Sequence, residues 1–377
     1  MRRVLCLCVA AAFGRATASA QPAATSTLTA EGGAEADSNV GRVETGEGLD
    51  TMRVRAPVLR LGFRLDRRGR AARGGYALGA AMLARLVTND DAKSENVSLF
   101  SGDLRWVRTL GKRPIAVGFG AAYADAVPLS TDVGARTFRT AAADAMLVLR
   151  KGEDRVLTVN VGPRYFAYKP ERAYDWWGPS ISARLDLNLW EPSGGARSLE
   201  LAGVVGFEAR MFESVASASA CADGAPPSPE CFAPTSLRRR DRYQRAGIEL
   251  TYTGSFIATA GYLLTVIDSN SYGQSVVRHR GTVSATTELP KKLIGTVLAT
   301  LQIDRYLDGL VVQKDLQHQE YTNLDDANRS SLQFRLARRV TDAWSLEGRV
   351  AIWRDLGGTL DTEYRRELVY FGGVYAK

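Results

Sequence analysis

Histidine is nearly absent from this chain: His279 and His318 are the two among 377 residues. Imidazole is the side chain that shuttles protons near neutral pH, so its scarcity argues against hydrolases built on a histidine paired with serine or acids. The chain is accordingly expected not to be an enzyme. Cysteine is scarce as well. Of four, Cys6 and Cys8 fall in the opening apolar run, which leaves Cys221 and Cys231 flanking a stretch rich in glycine, proline and serine. A pair that close in an oxidising compartment reads as a loop-closing disulfide. A metal site would need more ligands, and His279 is far along the chain, so neither metal nor cofactor is expected. Beyond the opening, no apolar run reaches the roughly 18 residues of a membrane-spanning helix. Blocks of one charge sign are missing too, apart from Arg238-Arg239-Arg240. With no binding motif either, nucleic acid is not an expected partner.

What is present begins with a three-part leader. Basic Arg2 and Arg3 precede an apolar run from Val4 to Phe13, and Ala18-Ser19-Ala20 offers a small-residue cleavage site. This pattern predicts a secretory signal peptide over 1–20 and a mature chain over 21–377. The twin arginines lack the usual preceding serine or threonine, so general secretion is the expected route. The net charge of +8 falls to +5 once Arg2, Arg3 and Arg15 leave with the leader.

From there on, a period of two runs along the chain. In Ser180 to Trp190, Ile181, Ala183, Leu185, Leu187 and Leu189 share one face, and Ser180, Ser182, Arg184, Asp186 and Asn188 the other. Alternate side chains of a strand point to opposite faces, so this segment has one apolar and one polar wall. Similar alternation marks Leu59 to Asp66, Leu199 to Glu208, Leu293 to Asp304, Leu332 to Ala337 and Leu346 to Ile352. A soluble sandwich alternates too.

The connections separate the two. Short ones fall near 67–73, 111–113, 151–154, 191–196, 254, 290–291 and 341–342, and alternate with longer polar ones near 41–51, 88–95, 127–134, 169–178, 214–237, 269–273, 307–327 and 355–362. Short periplasmic turns, long extracellular loops and about 16 strands (14 to 18) are the pattern of a transmembrane antiparallel β-barrel of the outer membrane. Its fold class is all-β, and an even strand count leaves both termini in the periplasm. Tyr76, Trp106, Tyr252, Phe256, Trp344 and Tyr375 are expected to face outward near the turns as an aromatic girdle, with Tyr123, Phe138 and Tyr165 on the thinner opposite rim. Pro57 and Pro163 each remove one ladder donor, so a rim position or a bulge is expected there. Small Ala116, Gly118, Gly120, Ala122 and Ala124 make the fifth strand the least polar inner wall, suited to face a folded-in loop.

The same register turns Arg60, Arg64, Arg105, Arg164, Arg184, Arg210, Arg245, Arg278, Arg280, Arg335 and Arg349 inward. Acids accompany them, among them Glu31, Glu35, Asp37, Asp103, Asp186, Glu200, Glu208, Glu249 and Glu347, while the lysines fall in turns, loops or the end. A barrel of this size leaves an aqueous lumen, and guanidinium groups hold carboxylates or phosphates in bidentate fashion. A weakly anion-preferring pore follows. Two plainer readings stand beside it: codon preference for arginine, and Arg–acid pairs that only stiffen the wall.

On these features the chain resembles Gram-negative porin-like outer-membrane barrels. Gly33-Ala34-Glu35-Ala36-Asp37-Ser38-Asn39-Val40 is similar to the first strand and turn of a group that includes the barrels of polysaccharide-export proteins, and Arg365 to Ala376 is similar to their closing strands. The resemblance implies a channel for passive or facilitated passage of hydrophilic solutes. It implies, as alternatives, a polysaccharide-export conduit working with periplasmic partners, or a barrel whose loops serve surface recognition. Outer-membrane lipid, lipopolysaccharide and the barrel assembly machinery are the implied partners. Such barrels usually end in an aromatic residue; here the end is Lys377, and Tyr375 is the nearest substitute.

Overall fold

A computed structural model describes residues 24–46, 52–71, 74–111, 114–130, 134, 136–152, 154–192, 197–220, 232–308, 329–355 and 362–377. The leader, His318, and Cys221 and Cys231 with the disulfide expected between them lie outside the described residues. The chain forms β1 (Ala24–Asp37), β2 (Thr45–Gly46), β3 (Ala56–Ala71), β4 (Gly74–Val87), β5 (Val97–Thr109) and β6 (Ile115–Pro128). It continues through β7 (Phe138–Lys151), β8 (Arg155–Tyr168), β9 (Trp176–Trp190), β10 (Ser198–Ser219), β11 (Phe232–Thr253) and β12 (Phe256–Ser269). The last are β13 (Val276–Leu289), β14 (Leu293–Tyr306), β15 (Ser330–Arg339), β16 (Trp344–Arg354), β17 (Thr362–Glu363) and β18 (Arg365–Ala376).

All strands but β2 and β17 pair antiparallel with their neighbours in sequence, and β18 returns to β1, so sixteen strands close into a barrel. Closure leaves no edge, and every backbone donor and acceptor of a strand can be met by a neighbour, which an apolar surrounding demands. The period of two then sorts the side chains. Phe63, Val161, Ile181, Val205, Ile248, Val283, Phe334 and Phe371 stand exposed on the outer surface all the way round. So continuous an apolar exterior is stable against hydrocarbon and not against water.

The girdle lies on the turn side as expected. Tyr76 opposes Trp106 and Trp344 opposes Tyr375 in register, with ring centroids of Trp344 and Tyr375 5.2 Å apart and those of Tyr252 and Phe256 4.9 Å apart. On the loop side Tyr123 and Tyr165 face outward, but Phe138 does not. It follows the inward parity of β7 and stacks on Phe166, 6.0 Å away. Its neighbours Thr137, Arg139 and Thr140 are all polar, so no alternation in the sequence fixes its parity.

Three boundaries differ from expectation. β10 and β11 are each 22 residues long and reach Ser219 and Phe232, so both ends of the loop expected over 214–237 are strand. The arginines of 237–242 look like loop in composition, yet they alternate across a paired ribbon. β3 runs to Ala71, which puts Arg67, Arg68 and Arg70 in the strand and not in the turn. Trp176 and Trp177, expected in a loop, open β9 and point to opposite sides. Pro57 sits at the rim of β3 as anticipated. Around Pro163 the β7–β8 ladder skips from Arg164 to Val161 with no extra residue, so this is an interruption and not a bulge.

Candidate functional site: the inner wall

By register, all eleven arginines named from the sequence lie on the inner wall, and so do the nine acids. Cross-strand and i,i+2 neighbours on one face are within reach of a long guanidinium arm, and most of these arginines use it. Arg64 holds Asp66 through two hydrogen bonds of 2.6 Å, and Arg184 bridges Asp186 (2.7 Å) and Glu249 (3.1 Å). Arg164 reaches Asp144 at 2.7 Å, Arg278 takes both oxygens of Asp304 at 2.9 Å, and Arg335 pairs with Glu347. Arg210 pairs with Glu208 at 2.6 Å, and Arg245 approaches the same carboxylate at 3.9 Å. Arg280 is inward beside them, and Arg105 is inward but outside any ion pair among the described residues. On the turn-side half these groups are partly exposed, so that stretch of wall is wet.

The loop-side half is different. Val58, Val87, Ala124, Phe138, Phe166, Trp176, Phe212, Asp241, Ile267, Val276, Trp353 and Leu368 turn inward near the loop ends of their strands and are buried. The first loop contributes to the cover: Asn39 and Val40 are fully buried, and Arg136 donates to the carbonyls of Gly41 and Arg42. The β2–β17 ribbon ties that loop to the last one. Arg329 binds Glu44 at 2.8 Å while lying over the Tyr364 ring at 3.6 Å.

Under this cover sits a dense charge cluster across the β1–β18 junction. Asp37 accepts from Arg366 Nη2 at 2.6 Å and from Arg85 Nη2 at 3.1 Å; Glu35 accepts from Arg85 Nε at 3.1 Å and lies 3.6 Å from Arg349. Arg60 donates to Glu31 at 3.1 Å. Arg85 and Arg366 are each 1% exposed. The turn that follows mates the same two strands: Glu367 N donates to Ser38 Oγ, and Asn39 Nδ2 donates to the carbonyls of Val43 and Arg365. The Asp37-Ser38-Asn39-Val40 motif therefore joins the first strand to the last. A second cluster lines β8 to β11, where the Arg210 guanidinium lies between Trp176 (4.3 Å) and Tyr243 (3.8 Å), and Arg239 covers Phe212 at 4.2 Å.

Arg85, Arg239 and Arg366 were not among the named inward arginines. Arg85 ends a nearly all-apolar stretch with no alternation to read, and the other two sit in Arg238-Arg239-Arg240 and Arg365-Arg366, where adjacent like residues hide the parity. For Arg239 the one signal available was Asp241 two residues on; Arg85 and Arg366 have no acid at that spacing. His279 is on the outer wall with Nδ1 2.7 Å from the Tyr262 hydroxyl, away from every inward carboxylate. No group of three or more metal-ligating side chains occurs among the described residues.

A closed barrel with a lipid-facing exterior, a turn-side aromatic girdle and a charged interior defines a transmembrane β-barrel of the outer-membrane type. Solved structures similar to this chain include OprB of Pseudomonas putida at high pH, with 9% identity over 94% of each chain and a TM-score of 0.49. OccK5 (OpdH) of Pseudomonas aeruginosa has 10% identity over 94% of this chain and 98% of its own, with a TM-score of 0.43. OmpT of Vibrio cholerae in its trimer form has 10% identity over 94% of this chain and 100% of its own, with a TM-score of 0.42. No family model and no curated protein matches the sequence.

Proposed function

We propose that this barrel is an outer-membrane channel for hydrophilic solutes with a weak preference for anions. The observation that carries the reading is the wet, charged inner wall on the turn side of a closed sixteen-strand barrel. The width of such a barrel leaves an aqueous lumen. Its guanidinium groups favour carboxylate or phosphate in passage, and the preference is weak because most share their charge with an acid of the wall. Arg105, outside any ion pair among the described residues, is the group expected to act most directly on a passing anion. Ohmic steps in planar bilayers of the purified protein are the expected result, with a reversal potential of anion sign in a salt gradient that Arg105→Gln brings toward zero. No steps would sink the channel; a cation sign would sink the preference.

The polysaccharide-export alternative draws on Asp37-Ser38-Asn39-Val40, and those residues have a role in joining β1 to β18 that needs no polymer or periplasmic partner. The recognition alternative draws on the loops expected at 221–231 and 307–327, which apart from Leu307 and Asp308 lie outside the described residues. For the assembly machinery, the β18 end with outward Tyr375 is the segment proposed to be read.

A further inference from the structure

The two rims of the barrel carry their outward charges differently. On the loop side five outward guanidinium groups have acid partners, Arg139 with Asp125, Arg238 with Glu213, Arg242 with Asp268, Arg354 with Glu363 and Arg365 with Glu367, while Arg240 and Arg305 stand exposed without an ion pair among the described residues. On the turn side, Arg67, Arg108, Lys151, Arg155 and Arg338 stand exposed near their strand ends. Their register partners place them outward: Arg67 opposes Leu78, Arg108 opposes Val117, Arg155 opposes Leu187, and Arg338 lies between Leu293 and Leu346. None of the five has an ion-pair partner among the described residues, although long flexible arms at a rim could find one if acids were supplied.

Two features make this arrangement costly in plain water. Lys151 and Arg155 are direct cross-strand partners on the same face, and like charges so placed weaken the pairing. Between β13 and β14, Lys291 and Lys292 take consecutive left-handed conformations, φ 65° and 60°, where residues with a Cβ are disfavoured. One outward position below Arg108 lies Trp106, and Leu346, opposite Arg338, is one outward position from Trp344. Aromatic girdles mark headgroup depth, so the bases stand level with the phosphates.

We propose that this turn-side collar binds anionic phospholipid headgroups of the adjoining leaflet, lipid phosphates supplying the counter-charge that the protein withholds. Phosphate suits guanidinium by paired hydrogen bonds and ammonium by point charge, and a surface of anionic lipid attracts such bases over about a Debye length. Lipid is favoured over a soluble acidic partner because the side chains leave the barrel wall sideways over the girdle, toward the bilayer. The inference does not depend on what the lumen conducts.

The test uses the full chain in phosphatidylcholine vesicles doped with dibrominated phosphatidylglycerol or dibrominated phosphatidylcholine, read by quenching of tryptophan fluorescence. At low salt we expect roughly threefold preference for the anionic lipid, falling toward parity near 1 M salt as the charges are screened. The combined variant Arg67→Gln, Arg108→Gln, Lys151→Gln, Arg155→Gln and Arg338→Gln should lose that preference; Arg238→Gln with Arg242→Gln should keep it. Heat-modifiable gel migration checks that each variant is folded. Equal quenching by the two lipids in the unaltered protein at low salt overturns the proposal without any variant. So does a preference that survives in the folded collar variant, or collar-dependent sedimentation with purified cell-wall sacculi in the absence of a lipid preference, which would assign the collar to an anionic polymer.

Discussion

Asp37 shows how much can rest on one carboxylate. Its side chain is buried and serves Arg366 and Arg85 together, while its Oδ1 also accepts from Asn39 N. Removing one member of a buried pair strands the others as uncompensated charge, at about 3–5 kcal/mol. Asp37→Ala is therefore expected to lower the urea midpoint of the purified barrel in micelles by that much. Asp103→Ala, on the wet part of the wall, should stay within about 0.5 kcal/mol. Equal shifts for the two would remove the special role given to the junction cluster. At the same junction a Cβ on Gly33 would run into the Phe371 carbonyl and the Tyr370 ring. Gly33→Ala is expected to cost about 1–3 kcal/mol through forced displacement of β18, seen as a lower temperature for loss of the folded band on gels.

Among elements, the turns carry the clearest expectation. A tight hairpin with positive φ at successive positions favours Asn-Gly, yet here the residues are Lys291 and Lys292. Lys291→Asn with Lys292→Gly should stabilise the folded barrel by roughly 1–2 kcal/mol in uncharged detergent. A destabilised double variant would show that the lysines make contacts worth more than their strain. Strands themselves were legible wherever one wall was apolar and the other polar, as in β9, and the turn-side ends were found to within a few residues. The long extensions of β10 and β11 escaped because small, polar and apolar residues mix on both faces there, as in Glu213 to Ser219, so no clean alternation marks a strand.

For the whole molecule, the loop-side cover is the feature with the largest expected effect. Loop residues 38–43 are seated in the mouth and held by Arg136, Asn39 and the β2–β17 ribbon. Replacing 40–54 by a short turn should raise the unitary conductance in planar bilayers and leave the anion sign in place; an unchanged conductance would mean that the loop lies beside the path and not across it. The sequence by itself determined the class, the strand number, the turn-side girdle and the inward parity of eleven arginines, because each follows from a local period of two and from turn spacing. It could not show which arginines are neutralised, nor that Asp37-Ser38-Asn39-Val40 meets the last strand. The contacts of that motif with the last strand join residues more than three hundred positions apart, and only barrel closure brings them together. The uneven charge of the two rims was decided the same way: every base was visible in the chain, but only the register showed which face each takes and which has an acid within reach.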